Sequence, residues 1–342
     1  MKEKIREISL MRSIACFLVL FIHTTANATV ALEKGSAMSI IFVIINRVTY
    51  FAVPLFIFIS GWTLLYSYKD REFSYIKFIK KRFKTVGIPY IIFTLIYYCF
   101  FIVRGVYAFS PLYLLKMLAL GKMVYHLYFV CIIFQFYLLF FAFRYLFKYF
   151  NPYLLLGLSL AVNLISLKYL TIPYSDRIFT NYIFFFCLGC FAALNIKKLE
   201  SLSVGIRALI LAISLCLTSF FVYYYYNAAV MGHRIHFVNY NFLWLAFSVF
   251  SIAALYILTR TFLLKTTALQ NFLNKMDPRT YIIYLAHPLV LMITAVLFNK
   301  AGYFNAAGIA VINIVILLSL TFAYTLLYDR LKNIIFKKAS IQ

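Results

Sequence analysis

Ten apolar stretches, each long enough to cross a bilayer, leave this chain of 342 residues little freedom of fold class. They fall near 8–30, 39–67, 86–104, 126–147, 153–170, 179–195, 206–226, 240–259, 281–299 and 305–327. Roughly 17 to 25 apolar residues are what a helix needs to span the hydrocarbon core. The sixth stretch is short and the second long, and Pro111 and Pro173 sit in connections expected to hold interfacial pieces. With 65% hydrophobic and only 12% charged residues, a soluble domain is excluded. The expectation is an all-α polytopic bundle of about ten transmembrane helices, one domain over 1–342, in the cell (plasma or inner) membrane. No appended soluble domain is expected, and no cleaved signal, because the first stretch is too long and lacks a small-residue cleavage site.

Charge placement orients the helices. Nine of the 33 basic residues, Lys34, Arg47, Arg104, Lys116, Lys122, Lys168, Arg177, Arg234 and Lys300, fall on one set of alternating connections, and the other 24 on the opposite set and the chain ends. Short cytoplasmic loops are the ones enriched in Lys and Arg, so both termini are expected in the cytoplasm. The net charge of +24 is spread through these short loops rather than gathered in a basic domain. It therefore points to lipid headgroups of the bilayer, not to nucleic acid.

All six cysteines lie in or beside expected spans, so no structural disulfide is expected. Cys187 and Cys190 form a C-x-x-C without a second ligand pair, and His233 and His236 in an external loop lack an acidic or thiol partner. No metal site is expected from either.

Polar chemistry inside the spans is sparse. The nine acidic residues all fall at expected loops or helix ends, which argues against a proton-coupled carrier built on buried carboxylates. The first span carries Arg12 and His23, eleven positions apart, which on a helix is close to three turns and about 16 Å along one face. His23 stands in LVLFIHTTANAT, with Thr24, Thr25 and, one turn on, Asn27. A histidine takes up a proton near neutral pH and suits a general base for acyl transfer to an alcohol. The alternative is a histidine that only hydrogen-bonds between helices. Arg12 either reaches the headgroups or serves as a fixed cation for phosphate or for a carbonyl gaining charge. The run from Lys69 to Lys84 is the densest basic cluster, expected as a cytoplasmic loop, with Lys81 and Arg82 the best donor contacts. His126 opens the fourth span on the expected external side, where it would meet an acceptor. His287, with Pro288, is expected at a different depth, lining an inner vestibule or bending the ninth span.

Several separated segments carry a resemblance. RSIACFLVLFIH is similar to the first-helix motif of the acyltransferase-3 family of integral membrane acyltransferases, an Arg followed by ten residues and a His. VPLFIFISGWTL resembles its second-helix signature ending in Ser60 and Gly61, FIKKRFKTVGIPYIIF the basic run before the third helix, and YIIYLAHPLVL the late Tyr-x-x-His-Pro pattern with Tyr284 and His287. YHLYFVCIIFQFYLL resembles the start of a middle span in the compact O-acetyltransferase branch. The resemblance implies His23 as catalytic histidine, Arg12 as an active-site or donor-side cation, and Ser60 and Gly61 in a closely packed pocket.

It also implies an O-acyltransferase with no bound cofactor, taking acetyl-CoA or another acyl-CoA from the cytosol. The acceptor would be a hydroxyl of an envelope glycan or lipid-linked sugar, handled within the bundle or with polysaccharide-assembly partner proteins. A polysaccharide exporter or flippase of the same fold is the main rival, since 29 Tyr and 38 Phe offer sugar-stacking surfaces. An ion-coupled small-solute transporter is the third reading.

Overall fold

The computed structural model describes residues 6–233, 239–262 and 267–339, with side chains through 328. Among these residues the chain forms sixteen α-helices and no strand. They are α1 Arg6–Thr25, α2 Ala28–Ala31, α3 Ala37–Val48, α4 Ala52–Tyr68, α5 Tyr75–Arg82, α6 Ile88–Val103, α7 Pro111–Leu120, α8 Tyr128–Tyr149, α9 Pro152–Tyr169, α10 Ile183–Leu194, α11 Ile196–Glu200, α12 Val204–Tyr225, α13 Tyr240–Thr261, α14 Thr267–Met276, α15 Thr280–Lys300 and α16 Ala306–Ala339. Nine helical segments among the described residues are long and apolar enough to cross a membrane. The short sixth stretch is Phe179–Leu194, apolar but below that length. The protein is an all-α, multi-pass membrane protein.

The boundaries differ from the sequence reading where polar residues turn out to be helical. The basic run is not a loop throughout. From Tyr75 it forms α5, which passes through a π-turn at Phe83–Gly87 into α6, so the third span is Tyr75–Val103. α7 is the interfacial piece expected near Pro111. Its first turn is prepared by Pro111, which needs no N–H there, and the Ser110 hydroxyl accepts from the Tyr113 amide at 3.3 Å.

The second span, Ala37–Tyr68, is broken at Thr49–Phe51. The Thr49 hydroxyl donates to the carbonyls of Ile45 and Asn46 at 3.0 and 2.9 Å, competing with the backbone for the last acceptors of α3. Pro54, which has no N–H to give, fits the first turn of the helix that restarts at Ala52. Arg47, counted above with an external connection, is the eleventh residue of this segment.

The described residues divide into two compact units, one of 53–211 and 239–249, the other of 6–52, 212–233, 250–262 and 267–339. In the first, Phe136 stacks on Phe186 with centroids 4.5 Å apart. Close by, α4 and α10 meet backbone to backbone. A Cβ on Gly61 would stand 2.1 Å from the Phe186 carbonyl oxygen, and one on Gly189 2.0 Å from that of Phe58. The Cys190 thiol donates to the Gly61 carbonyl at 3.5 Å. Small residues are what let membrane helices approach this closely. Gly61→Ala is expected to force these two helices apart at a loss of about 1–3 kcal/mol, as overpacking does, read as a lowered melting temperature in detergent. An unchanged melting temperature would contradict the contact.

Candidate functional site

The second unit holds the first-helix pair. α1 packs on α3, α14, α15 and α16, and its polar positions stitch it to the chain from α14 to the first residue of α15. The Ser13 hydroxyl donates to the Leu273 carbonyl at 2.7 Å, and the Cys16 thiol to the Thr280 carbonyl at 3.7 Å. Between them in function is Arg12, whose Nη1 donates to Asp277 Oδ1 at 2.7 Å. Asp277 opens the turn Asp277–Arg279 and is 4% exposed, whereas the Arg12 side chain keeps 29% of its surface. At the start of α1, Arg260 Nη1 meets Glu7 Oε1 at 3.0 Å. Arg12 is thus already neutralised by a carboxylate that the sequence places at a helix end.

Near the other end of α1, His23 stacks on His287 of α15, with ring centroids 5.2 Å apart and planes 24° from parallel. The sequence reading gave these two histidines different depths, yet the packing of α1 on α15 brings them together. His23 is half-buried and His287 only 1% exposed.

His287 Nδ1 lies 2.7 Å from the Tyr284 carbonyl oxygen. A carbonyl only accepts, so Nδ1 carries the proton and, in the neutral ring, Nε2 holds the basic lone pair. Pro288 explains why that carbonyl is available. In a continuous helix the Tyr284 oxygen would receive the amide of residue 288, but a proline there has no N–H to give. The Tyr284-x-x-His287-Pro288 pattern is therefore one device: the proline frees an acceptor and the histidine takes it. The Tyr284 ring lies 6.0 Å from that of His287.

Asn27, in the same unit, is outside this arrangement. α1 ends at Thr25, and Asn27 precedes α2 as an exposed residue with no capping hydrogen bond from its side chain. The polar group that does serve this end of α1 is Asn46 of α3, whose Nδ2 donates to the Ile22 carbonyl and the Thr25 hydroxyl, both at 2.8 Å.

Ser60, Gly61, Lys81, Arg82 and His126 belong to the first unit. Ser60 is half-buried beside the tight crossing at Gly61. Lys81 is exposed. Arg82 is drawn over the rings of Phe78 and Tyr137, at 5.2 and 5.4 Å, and is less open to a ligand than its neighbours in the basic run. His126 is 2% exposed, edge-on to Tyr97 and Tyr125 at 5.8 Å from each, so it does not present an open face to an acceptor. Among the described residues no group of three His, Cys, Asp or Glu is placed to hold a metal ion. His233 is exposed, while His236 and Arg234 lie outside the described residues. Asp277 and Asn46 were missed by the sequence reading. The only signal for Asp277 was its place just ahead of the Tyr-x-x-His-Pro segment.

Comparison with known proteins agrees with the resemblance. The chain is 27% identical over 312 residues to a protein of Staphylococcus aureus named as a probable poly-beta-1,6-N-acetyl-D-glucosamine export protein, with 84% of this chain and 83% of the relative covered. The same similarity recurs in several strains of that species. No solved structure matches. The family model described as an acyltransferase domain matches residues 5–328, and on that match the chain belongs to the acyltransferase-3 family of membrane proteins.

Proposed function

We propose that this protein is a membrane O-acyltransferase. It moves an acyl group, acetyl in the first instance, from cytosolic acyl-CoA to a hydroxyl of an envelope saccharide or lipid-linked sugar. In this reading both termini face the cytoplasm and no cofactor is bound beyond the donor. His23 takes the proton of the acceptor hydroxyl as its oxygen attacks the thioester carbonyl. The C–O bond forms, the C–S bond breaks, and the proton passes to the departing sulfur. Arg12, its charge balanced by Asp277, offers the rest of its guanidinium to the donor, and Lys81 with the neighbouring basic residues attracts the CoA phosphates. The bundle keeps water from the thioester. The observation that carries this reading is the His23–His287 stack, in which the tautomer of His287 is fixed by a carbonyl to which Pro288 can give no amide.

The name of the Staphylococcus relative favours a second reading, export of a polysaccharide without acyl chemistry. Labelled acetyl-CoA supplied to membranes with and without the native protein separates the two. Acyl transfer predicts label in an envelope fraction only when the protein is present. Absence of label, together with polysaccharide trapped inside cells that lack the protein, would replace the enzyme with an exporter.

A finer expectation concerns the proline. Pro288→Ala restores an amide that competes with His287 for the Tyr284 carbonyl, so the ring loses its fixed orientation while the helix gains a hydrogen bond. Transfer should fall roughly tenfold, because His23 loses the fixed ring it stacks on and its own placement loosens, with the melting temperature unchanged or raised. Full activity in this variant would remove the orienting role.

A further inference from the structure

Arg47 is buried within the second helical segment, with no carboxylate in ion-pair range among the described residues. It is 8% exposed and lies ten residues, about 15 Å of helix, from the start of the Ala37–Tyr68 segment. An arginine at such depth is costly and marks a functional position unless it is compensated. The compensation present is aromatic: its Cζ stands 4.2 Å from the Tyr50 ring centroid and 3.6 Å from that of Tyr225. Ring faces attract the charge, but they do not supply oxygen acceptors to the N–H donors that lie in the guanidinium plane. Among the described residues Arg47 makes no ion pair, and its buried Nε has no hydrogen-bond partner.

Two further features bear on this position. The helix breaks directly after Val48, and broken helices within a membrane are found where the chain lines a binding site. Asn46, 1% exposed, spends its Nδ2 on the end of α1 next to His23, while its Oδ1 is buried without a partner among the described residues. A guanidinium with an unmet buried donor, held between two aromatic rings, thus lies on α3 one residue from the side chain that holds the His23 end of α1.

We infer that Arg47, Tyr50 and Tyr225 form a subsite for an oxyanion carried by the saccharide substrate, a phosphate or a carboxylate. The inference rests on the reading that the His23 end of α1 receives the acceptor, and it narrows that acceptor to an anionic one. Guanidinium meets phosphate and carboxylate through paired N–H donors, which a lysine does not reproduce.

Equilibrium binding to the purified full chain in neutral detergent tests it without any turnover. One arm compares a polyprenyl phosphate with the corresponding polyprenol, the other a glucuronate-terminated oligosaccharide with its glucose-terminated counterpart. Native protein should bind the anionic member of at least one pair about tenfold more tightly, and the pair that shows the preference identifies the source of the charge. Arg47→Gln should abolish the preference and Arg47→Lys should retain part of it. Equal binding of anionic and neutral members by native protein, or an undiminished preference in Arg47→Gln, overturns the subsite. Should Arg47→Gln fail to fold, the native comparison and Arg47→Lys still decide. A preserved anion preference without acetyl label would defeat the acyl-transfer reading alone, and label without preference would defeat only this inference.

Discussion

His23→Ala is expected to reduce acyl transfer by about 10²–10⁴, the usual contribution of a positioned proton acceptor, while the protein still accumulates. The ring is half-buried and its described packing partner is another imidazole, so truncation removes a stacked face rather than a filled core position. A stability change near 1 kcal/mol is the ordinary cost of such a substitution. Transfer of labelled acetyl at matched protein levels reads the effect. His23→Gln should be as inactive as the alanine variant, since an amide keeps hydrogen bonds but takes up no proton. If the glutamine variant transfers acetyl at the native rate, His23 is a structural histidine and the base lies elsewhere. An exporter would tolerate both substitutions provided α1 still packs on α15.

The fold was legible because lipid leaves a spanning chain one solution for its backbone, and apolar length alone marks where it is used. Even the short sixth stretch reappears as Phe179–Leu194. Local polar rules were harder to read, because they depend on packing. Asn27 looked like a continuation of the His23 face, but α1 ends at Thr25, where the Thr25 hydroxyl turns back to the Phe21 carbonyl at 2.6 Å. The roles of Arg12 and His287 depended on partners 265 and 264 positions away, Asp277 for the arginine and His23 for the imidazole. No spacing rule reaches across that distance. Arg47 was misplaced for a related reason: positive charge is read as a loop marker, and a cation inside a broken helix between tyrosines has no signature that separates it from one at the surface. Gly61, which the resemblance put in a closely packed pocket, differs in that the Phe186 carbonyl sits where a Cβ would go.

Asp277→Ala should cost more folding stability than any other single change at this site. It strands the Arg12 charge at the packed face of α1, and breaking a buried pair from one side costs 3–5 kcal/mol. Arg12 retains 29% of its side-chain surface and can move its head toward polar surroundings, which brings the expected loss down to about 2–3 kcal/mol. That is a large part of a typical folding free energy, so the variant should accumulate poorly and melt lower. Replacing both partners, Arg12→Met with Asp277→Leu, removes the stranded charge and the buried carboxylate together and should restore accumulation to near the native level. The rescued double variant then isolates chemistry from folding. If Arg12 spends its remaining N–H donors on the acyl-CoA, the double variant should show KM for acyl-CoA raised about tenfold, the worth of one charge-assisted hydrogen bond, with its protein level intact. A native KM in a well-folded double variant would confine Arg12 to holding α1 against the turn at Asp277, and the donor phosphates would then fall to the basic run around Lys81.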